Sequence, residues 1–264
     1  MAGRFRSGLP KVILQRPLPA SVVKFRAAES PWNRWKIEGD SKIGNIHIKQ
    51  REMTIGVVKT LPVGQTILDL GCGTGKTLDE LLRLGNVERV LAIDINKNAI
   101  NMAQEKLKEG NNPHVNKLEV AEADLYKYPF KPGSADCVIC IDVLNELSDF
   151  TKALSIMRDI LKPNGMLIGN FVAKEKFVEL MLKTHSPLEY SWLDFKFHAA
   201  LAISFNQAVY NYFGRKGYIR LLPCLKNDVI GMLEKFFKIE IMNSDFYHWF
   251  TASAKPDNRS TVKR

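Results

Sequence analysis

The chain has 264 residues, 45% apolar and 25% charged, a composition that can bury one full α/β core and excludes a disordered or collagen-like polymer. Its four cysteines, with Cys137 and Cys140 on one apolar run and Cys72 inside a glycine-rich run, do not form a disulfide framework, and no apolar run reaches membrane-spanning length, so a cytoplasmic protein is expected. The net charge of +10 sits at the ends: residues 1–51 carry a surplus of 8 and residues 255–264 a surplus of 3, leaving −1 for 52–254 and no broad basic stripe on the core for nucleic acid.

Residues 1–42 read as a basic N-terminal arm. Its first 28 residues hold no acid and include Pro10, Pro17 and Pro19, which overlaps the composition of an organelle transit peptide, the alternative to a cytoplasmic location. Trp32 and Trp35 could stack on bases or cover a pocket. Residues 43–61 look helical, with Ile46, Met53, Val57 and Val58 as apolar points. Thr66-Ile67-Leu68 then reads as a strand that enters Asp69-Leu-Gly71-Cys-Gly73-Thr-Gly75, three glycines at alternate positions before a helical pattern that starts near Lys76. A side chain at any of these glycines would occupy ligand space or forbid the turn.

Leu78, Leu81, Leu82 and Leu84 give a short helix ended by Gly85, and Val90–Ile93 is a continuous apolar strand that stops at Asp94. A carboxylate there can accept two hydrogen bonds from a ribose diol. Helix 98–107, a strand over 117–120 leading to Asp124-Leu125, and a strand over 136–141 ending in Asp142-Val-Leu-Asn145 follow. Pro163 and Gly165 make a turn before a fifth strand at 166–171. Residues 174–237 hold Trp192, Phe195, Phe197, Phe205, Tyr210, Tyr212, Phe213 and Tyr218 and read mostly as a helical insertion over the site mouth. Strands at 238–242 and 248–252 and a polar, basic tail at 255–264 complete the chain. Alternating strands and helices predict an α/β, Rossmann-like, doubly wound sheet of seven mostly parallel strands, with helices on both faces and Asp69, Asp94, Asp124 and Asp142 at strand tips.

Spacing separates three ligands for the glycine loop. A dinucleotide fingerprint needs glycine where Lys76 stands, and a phosphate loop ending in Gly75-Lys76-Thr77 needs glycine where Leu70 stands. Asp69 beside the loop disfavours a triphosphate and suits an amino-bearing or cationic ligand. Asp69-Leu-Gly-Cys-Gly-Thr-Gly75 resembles the first motif of class I S-adenosylmethionine-dependent methyltransferases, and Leu161-Lys-Pro163-Asn-Gly165 is similar to that family's Leu-Lys-Pro-Gly-Gly turn. The resemblance implies S-adenosylmethionine as cofactor, bound by Asp69, Gly71, Gly73, Gly75, Asp94, Ile95, Asp124, Leu125 and Ile141. By it, Asp124 would hold the adenine amino group; the alternative is a solvated loop acid or a cap. Similar enzymes carry an N-terminal helix across the site mouth, which makes Arg51 a candidate partner for the cofactor carboxylate; the favoured alternative is a plain surface arginine.

The resemblance therefore implies a methyltransferase, and the aromatic insertion an O, N or C acceptor on a small, partly apolar molecule. Asn145 is a candidate for orienting the acceptor, and His198 or His185 for taking a proton where the acceptor must lose one. No His or Cys spacing resembles a metal site. Neither Asn-Pro-Pro-Tyr nor Asp-Pro-Pro-Tyr follows strand four, and no Pro-Cys nucleophile lies on it, which argues against methylation of adenine or glutamine amino groups and of cytosine C5. An RNA or protein methyltransferase using the basic arm, and a non-catalytic binding subunit with the same fold, are the two alternatives.

Overall fold

The computed structural model describes residues 42–147, 149–173, 226–244 and 247–255. In chain order they form α1 (Lys42–Lys59), β1 (Gln65–Leu70), α2 (Leu78–Leu82), β2 (Val87–Asp94), α3 (Lys97–Glu109), β3 (Leu118–Glu122) and β4 (Ala135–Cys140). Then come α4 (Phe150–Ile160), β5 (Leu161–Val172), α5 (Lys226–Leu233), β6 (Phe237–Ser244) and β7 (Tyr247–Ala254). The basic arm with Trp32 and Trp35, most of the aromatic insertion with His185 and His198, and the end of the tail lie outside the described residues.

The strands make one sheet in the order β3-β2-β1-β4-β5-β7-β6. All neighbours from β3 to β5 run parallel, and β7 runs antiparallel to both β5 and β6. Strand side chains alternate between faces, so the central strands build two cores at once. On one face Leu68, Val138 and Cys140 pack with Leu154 and Met157 of α4 and Val229 and Leu233 of α5. On the other, Ile67, Cys137 and Ile139 pack with Ile55 and Val58 of α1, Leu81 and Leu82 of α2 and Ala103 of α3. The sheet and its two helical layers are the doubly wound arrangement expected. Because β1 connects outward to β2 and β3 before the chain returns to β4, the crevice beyond β1 and β4 is the topological switch point, where ligands enter such sheets.

Local chemistry sets the element ends. Asn96 caps α3 by accepting from the Asn98 and Ala99 amides, and Asp149 caps α4 by accepting from Lys152 N–H. α2 is shorter than its leucine spacing suggests: the chain turns from Leu81 O to Leu84 N–H and enters β2 at Val87. β5 starts earlier than expected, since Leu161 already pairs with Ala135; Lys162–Gly165 then bulges out, with Asn164 at φ 62°, before Met166 pairs with Cys137. α5 belongs to the core rather than to the insertion expected to run to residue 237, because Val229 and Leu233 are buried beneath β6.

Asn86 fastens the C-terminus of α1, donating from Nδ2 to Val58 O at 2.7 Å and Leu61 O at 3.0 Å. Val58 O also accepts from Leu61 N–H at 3.1 Å, and Leu61 lies just past the helix end, where carbonyls lack an intrahelical donor. Asn86→Ala is expected to cost about 1–2 kcal/mol, read as a melting temperature lower by a few degrees in a thermal scan.

Candidate active site

The glycine loop leaves β1 under three left-handed glycines, Gly71 at φ 77°, Gly73 at 54° and Gly75 at 72°. Its start is tied to β2, with Gly71 N–H and Cys72 N–H both donating to Ile93 O. The three positions differ in what surrounds them. A Cβ on Gly71 would fall 2.2 Å from Val143 Cγ2, and one on Gly75 would fall 2.8 Å from Ala103 Cβ of α3. A Cβ on Gly73 would meet no atom within 4 Å. Gly71 and Gly75 are therefore bare for their protein neighbours, and Gly73 alone presents bare backbone to open space.

Asp94, the last residue of β2, accepts from Gly73 N–H at 2.9 Å through one carboxylate oxygen and from Asn96 N–H at 2.8 Å through the other. It thereby aims the tip of the loop. Ile95 beside it is 37% exposed, an apolar side chain open at the crevice. Asp69 is buried near the end of β1. Burial first, and the Asp94 carboxylate second, push the Asp69 carboxyl up to about 7. Burial first, and then the Asp69 and Asp94 carboxylates, push the Cys72 thiol up, which disfavours the nucleophilic thiolate. Two neighbouring acids, one of them buried, favour a ligand with a positive charge.

The other expected positions have protein partners in hand. Asp124 accepts from Tyr126 N–H at 2.9 Å and pairs with Lys127 at 3.4 Å, the geometry of a turn cap, while Leu125 packs into the core. Ile141 is half-buried against the α1 face. Asn145, the candidate for orienting the acceptor, is buried, and its Oδ1 accepts from Val172 N–H at 2.8 Å, which pins the end of β5. Arg51 pairs with Glu80 of α2 at 2.8 Å.

One pair escaped the sequence. His47 on α1 places Nδ1 2.9 Å from Asp142 Oδ2, just beyond β4. Asp142 sits at φ 60° and is gripped by Asn170 of β5, which accepts from its N–H at 2.7 Å and donates to its Oδ1 at 2.9 Å. The next residue, Val143, is the one that covers Gly71, so this His-Asp pair borders the glycine loop. The sequence marked Asp142 as a strand tip and 43–61 as a helix near the mouth. A contact between residues 95 apart left no spacing to read.

Among the described residues no helix is long and apolar enough to cross a membrane, and no three His, Cys, Asp or Glu side chains gather as a metal-ligand group.

With this geometry in view, residues 68–169 match the methyltransferase domain family. A ubiquinone/menaquinone biosynthesis C-methyltransferase of Vibrio cholerae is 32% identical over 136 residues, 51% of this chain and 51% of that protein. Its counterpart from Klebsiella pneumoniae is 38% identical over 106 residues, 40% of this chain and 41% of that protein. The chain thus spans about half the length, or less, of these curated relatives. Among solved structures, magnesium protoporphyrin IX methyltransferase from Synechocystis with bound S-adenosylhomocysteine aligns over 89% of this chain and 99% of that one, at TM-score 0.61 and 19% identity. The cyclase SpnF aligns over 90% and 77%, at TM-score 0.60 and 17% identity, so the fold by itself does not dictate methyl transfer. Residues 68–169, which hold the glycine loop, Asp94 and Asp142, are thus the part of the chain that is similar to S-adenosylmethionine-dependent methyltransferases.

Proposed function

We propose that the chain is an S-adenosylmethionine-dependent methyltransferase that transfers a methyl group to an O, N or C acceptor of a small, partly apolar molecule. The observation that carries this reading is the bare Gly73 backbone opening onto the crevice, with Asp94 aimed at it and a buried carboxyl at Asp69 beside it. These residues fit the cofactor. Asp94 would accept from the ribose diol, Ile95 would lie against the adenosine, and Asp69 would face the positively charged methionine portion. Leu125 and Ile141 would complete the apolar walls, with Asp124 at the adenine edge. When bound, the cofactor supplies an electrophilic methyl group on a sulfonium; the chain's residues align the acceptor behind it and exclude water.

In this reading the catalytic domain runs over 43–254, between the arm 1–42 and the tail 255–264, with the insertion after β5 as a lid. Three unpaired cysteines, Cys72, Cys137 and Cys140, support a reducing, cytoplasmic setting.

Calorimetry with S-adenosylmethionine and S-adenosylhomocysteine tests the reading directly. Both are expected to bind, and Asp94→Ala is expected to weaken both by about 10- to 100-fold, as befits loss of charge-assisted hydrogen bonds. No binding of either by folded protein would sink the proposal. Unchanged affinity in Asp94→Ala would sink the ribose assignment alone.

A further inference from the structure

The inner face of α1 carries a polar stripe at helical spacing, His47, Gln50 and Thr54, above the ends of β4, β5 and β7. Two of its members are satisfied by the protein. Thr54 donates to Gln50 O at 2.8 Å and receives Trp249 Nε1–H at 3.4 Å, while His47 is held by Asp142 and lies beside the Tyr247 ring, centroids 6.0 Å apart. Gln50 differs. It is 3% exposed, and neither its amide nitrogen nor its amide oxygen has a hydrogen-bond partner among the described residues. A buried amide left so costs stability unless something outside the fold meets it.

The His47 geometry says what that something offers. A carboxylate can only accept, so Asp142 takes the Nδ1–H, and in the neutral ring Nε2 is then the lone-pair acceptor, with Asn170 holding the carboxylate in place. Among the described residues no second hydrogen bond engages the ring. A neutral amine acceptor needs no base before methyl transfer, and a carboxylate has no proton to give. A base oriented in this way is useful to an acidic hydroxyl.

We propose that His47 and Gln50 form the acceptor subsite and that it takes a phenolic or enolic hydroxyl, with His47 as the catalytic base, Gln50 as the hydrogen-bonding anchor, and Asp142 and Asn170 as positioning residues. This rests on the methyl-transfer reading above. The hydroxyl proton passes to His47 Nε2; the electron pair released on the acceptor forms the new bond to the methyl carbon, and the carbon–sulfur bond breaks with its electrons returning to sulfur. Transfer to oxygen or to the adjacent ring carbon begins with the same deprotonation.

The test uses the full chain and 4-nitrophenol, whose visible phenolate band reports proton transfer without turnover, titrated with and without S-adenosylhomocysteine just below the phenol's own ionisation. Wild type is expected to bind the phenol saturably and raise the phenolate band. His47→Ala should lose at least about fivefold of that band while its calorimetric affinity for S-adenosylhomocysteine is unchanged, and Asp142→Asn, which keeps the left-handed backbone, should lose part of it. Gln50→Met should bind the phenol about tenfold more weakly yet melt at a higher temperature, a combination that a merely structural glutamine would not produce. Absence of saturable phenol binding, binding without the band, or a band undiminished in His47→Ala would each overturn the subsite. Failure of S-adenosylhomocysteine to bind would instead overturn the methyl-transfer reading, and the titration without it would still decide the subsite.

Discussion

Gly71→Ala is expected to cost about 2–5 kcal/mol of stability, because it adds overpacking to left-handed backbone strain. The new methyl would sit 2.2 Å from Val143 Cγ2, and the residue must keep φ at 77°. Val143 is β-branched and follows Asp142, itself fixed by Asn170, so it has little room to yield. Gly73→Ala should behave otherwise. Its methyl meets nothing, so the loss of stability is about 1 kcal/mol from the left-handed backbone alone, whereas cofactor affinity should fall by about 100-fold or more. Thermal scans and calorimetry on the two variants separate the effects. Equal destabilisation by both, or unimpaired binding in Gly73→Ala, would show the division of labour in the loop to be wrong.

The second large effect concerns Asp69. Its carboxyl stands near 7 in the folded chain against an ordinary 3.8, so the folded state holds a proton that the unfolded state has released. The stability associated with that proton is fully present below about pH 4 and is lost as pH rises through about 7, a loss of at most about 4 kcal/mol at ~1.4 kcal/mol per unit. Asp69→Asn removes the ionisable group. The variant should therefore melt a few degrees above wild type at pH 8, and the difference should vanish towards pH 4. At the same time its affinity for S-adenosylmethionine should drop by about 10- to 100-fold, since a positively charged ligand loses its anion. A melting difference that does not change with pH would remove burial of the carboxylate as the cause. The wild-type chain thus keeps a buried acid that weakens the fold and strengthens the site, a trade common where function needs charge.

Much of this architecture could be read from the chain. The apolar run Cys137–Cys140 is buried on both faces, and Val90–Ile93 is buried but for the partly covered Leu91; such strands carry their signal in composition alone. Their ends were less legible. β5 begins before the Lys162–Gly165 bulge because Leu161 pairs across the sheet, which depends on a partner strand and not on its own residues. The site divides in the same way. The glycines, Asp69 and Asp94 announce themselves through spacing, but the reason Gly71 must be glycine lies in Val143, 72 positions away, and the reason Gly75 must be lies in Ala103. His47 and Gln50 were invisible for the converse cause: a lone histidine and a lone glutamine on a helix look like surface residues until the sheet beneath them is known.

The buttressing of the loop by Val143, Ala103 and Asp94 also bears on how a ligand arrives. A loop held at its start by Val143, at its tip by Asp94 and at its end by α3 already has the conformation that binding requires. Little entropy of ordering is left for the ligand to offset, so association at this loop should be governed by diffusion into the crevice rather than by a slow folding step of the cradle. Selectivity must then come from which molecules fit a shape that is already set.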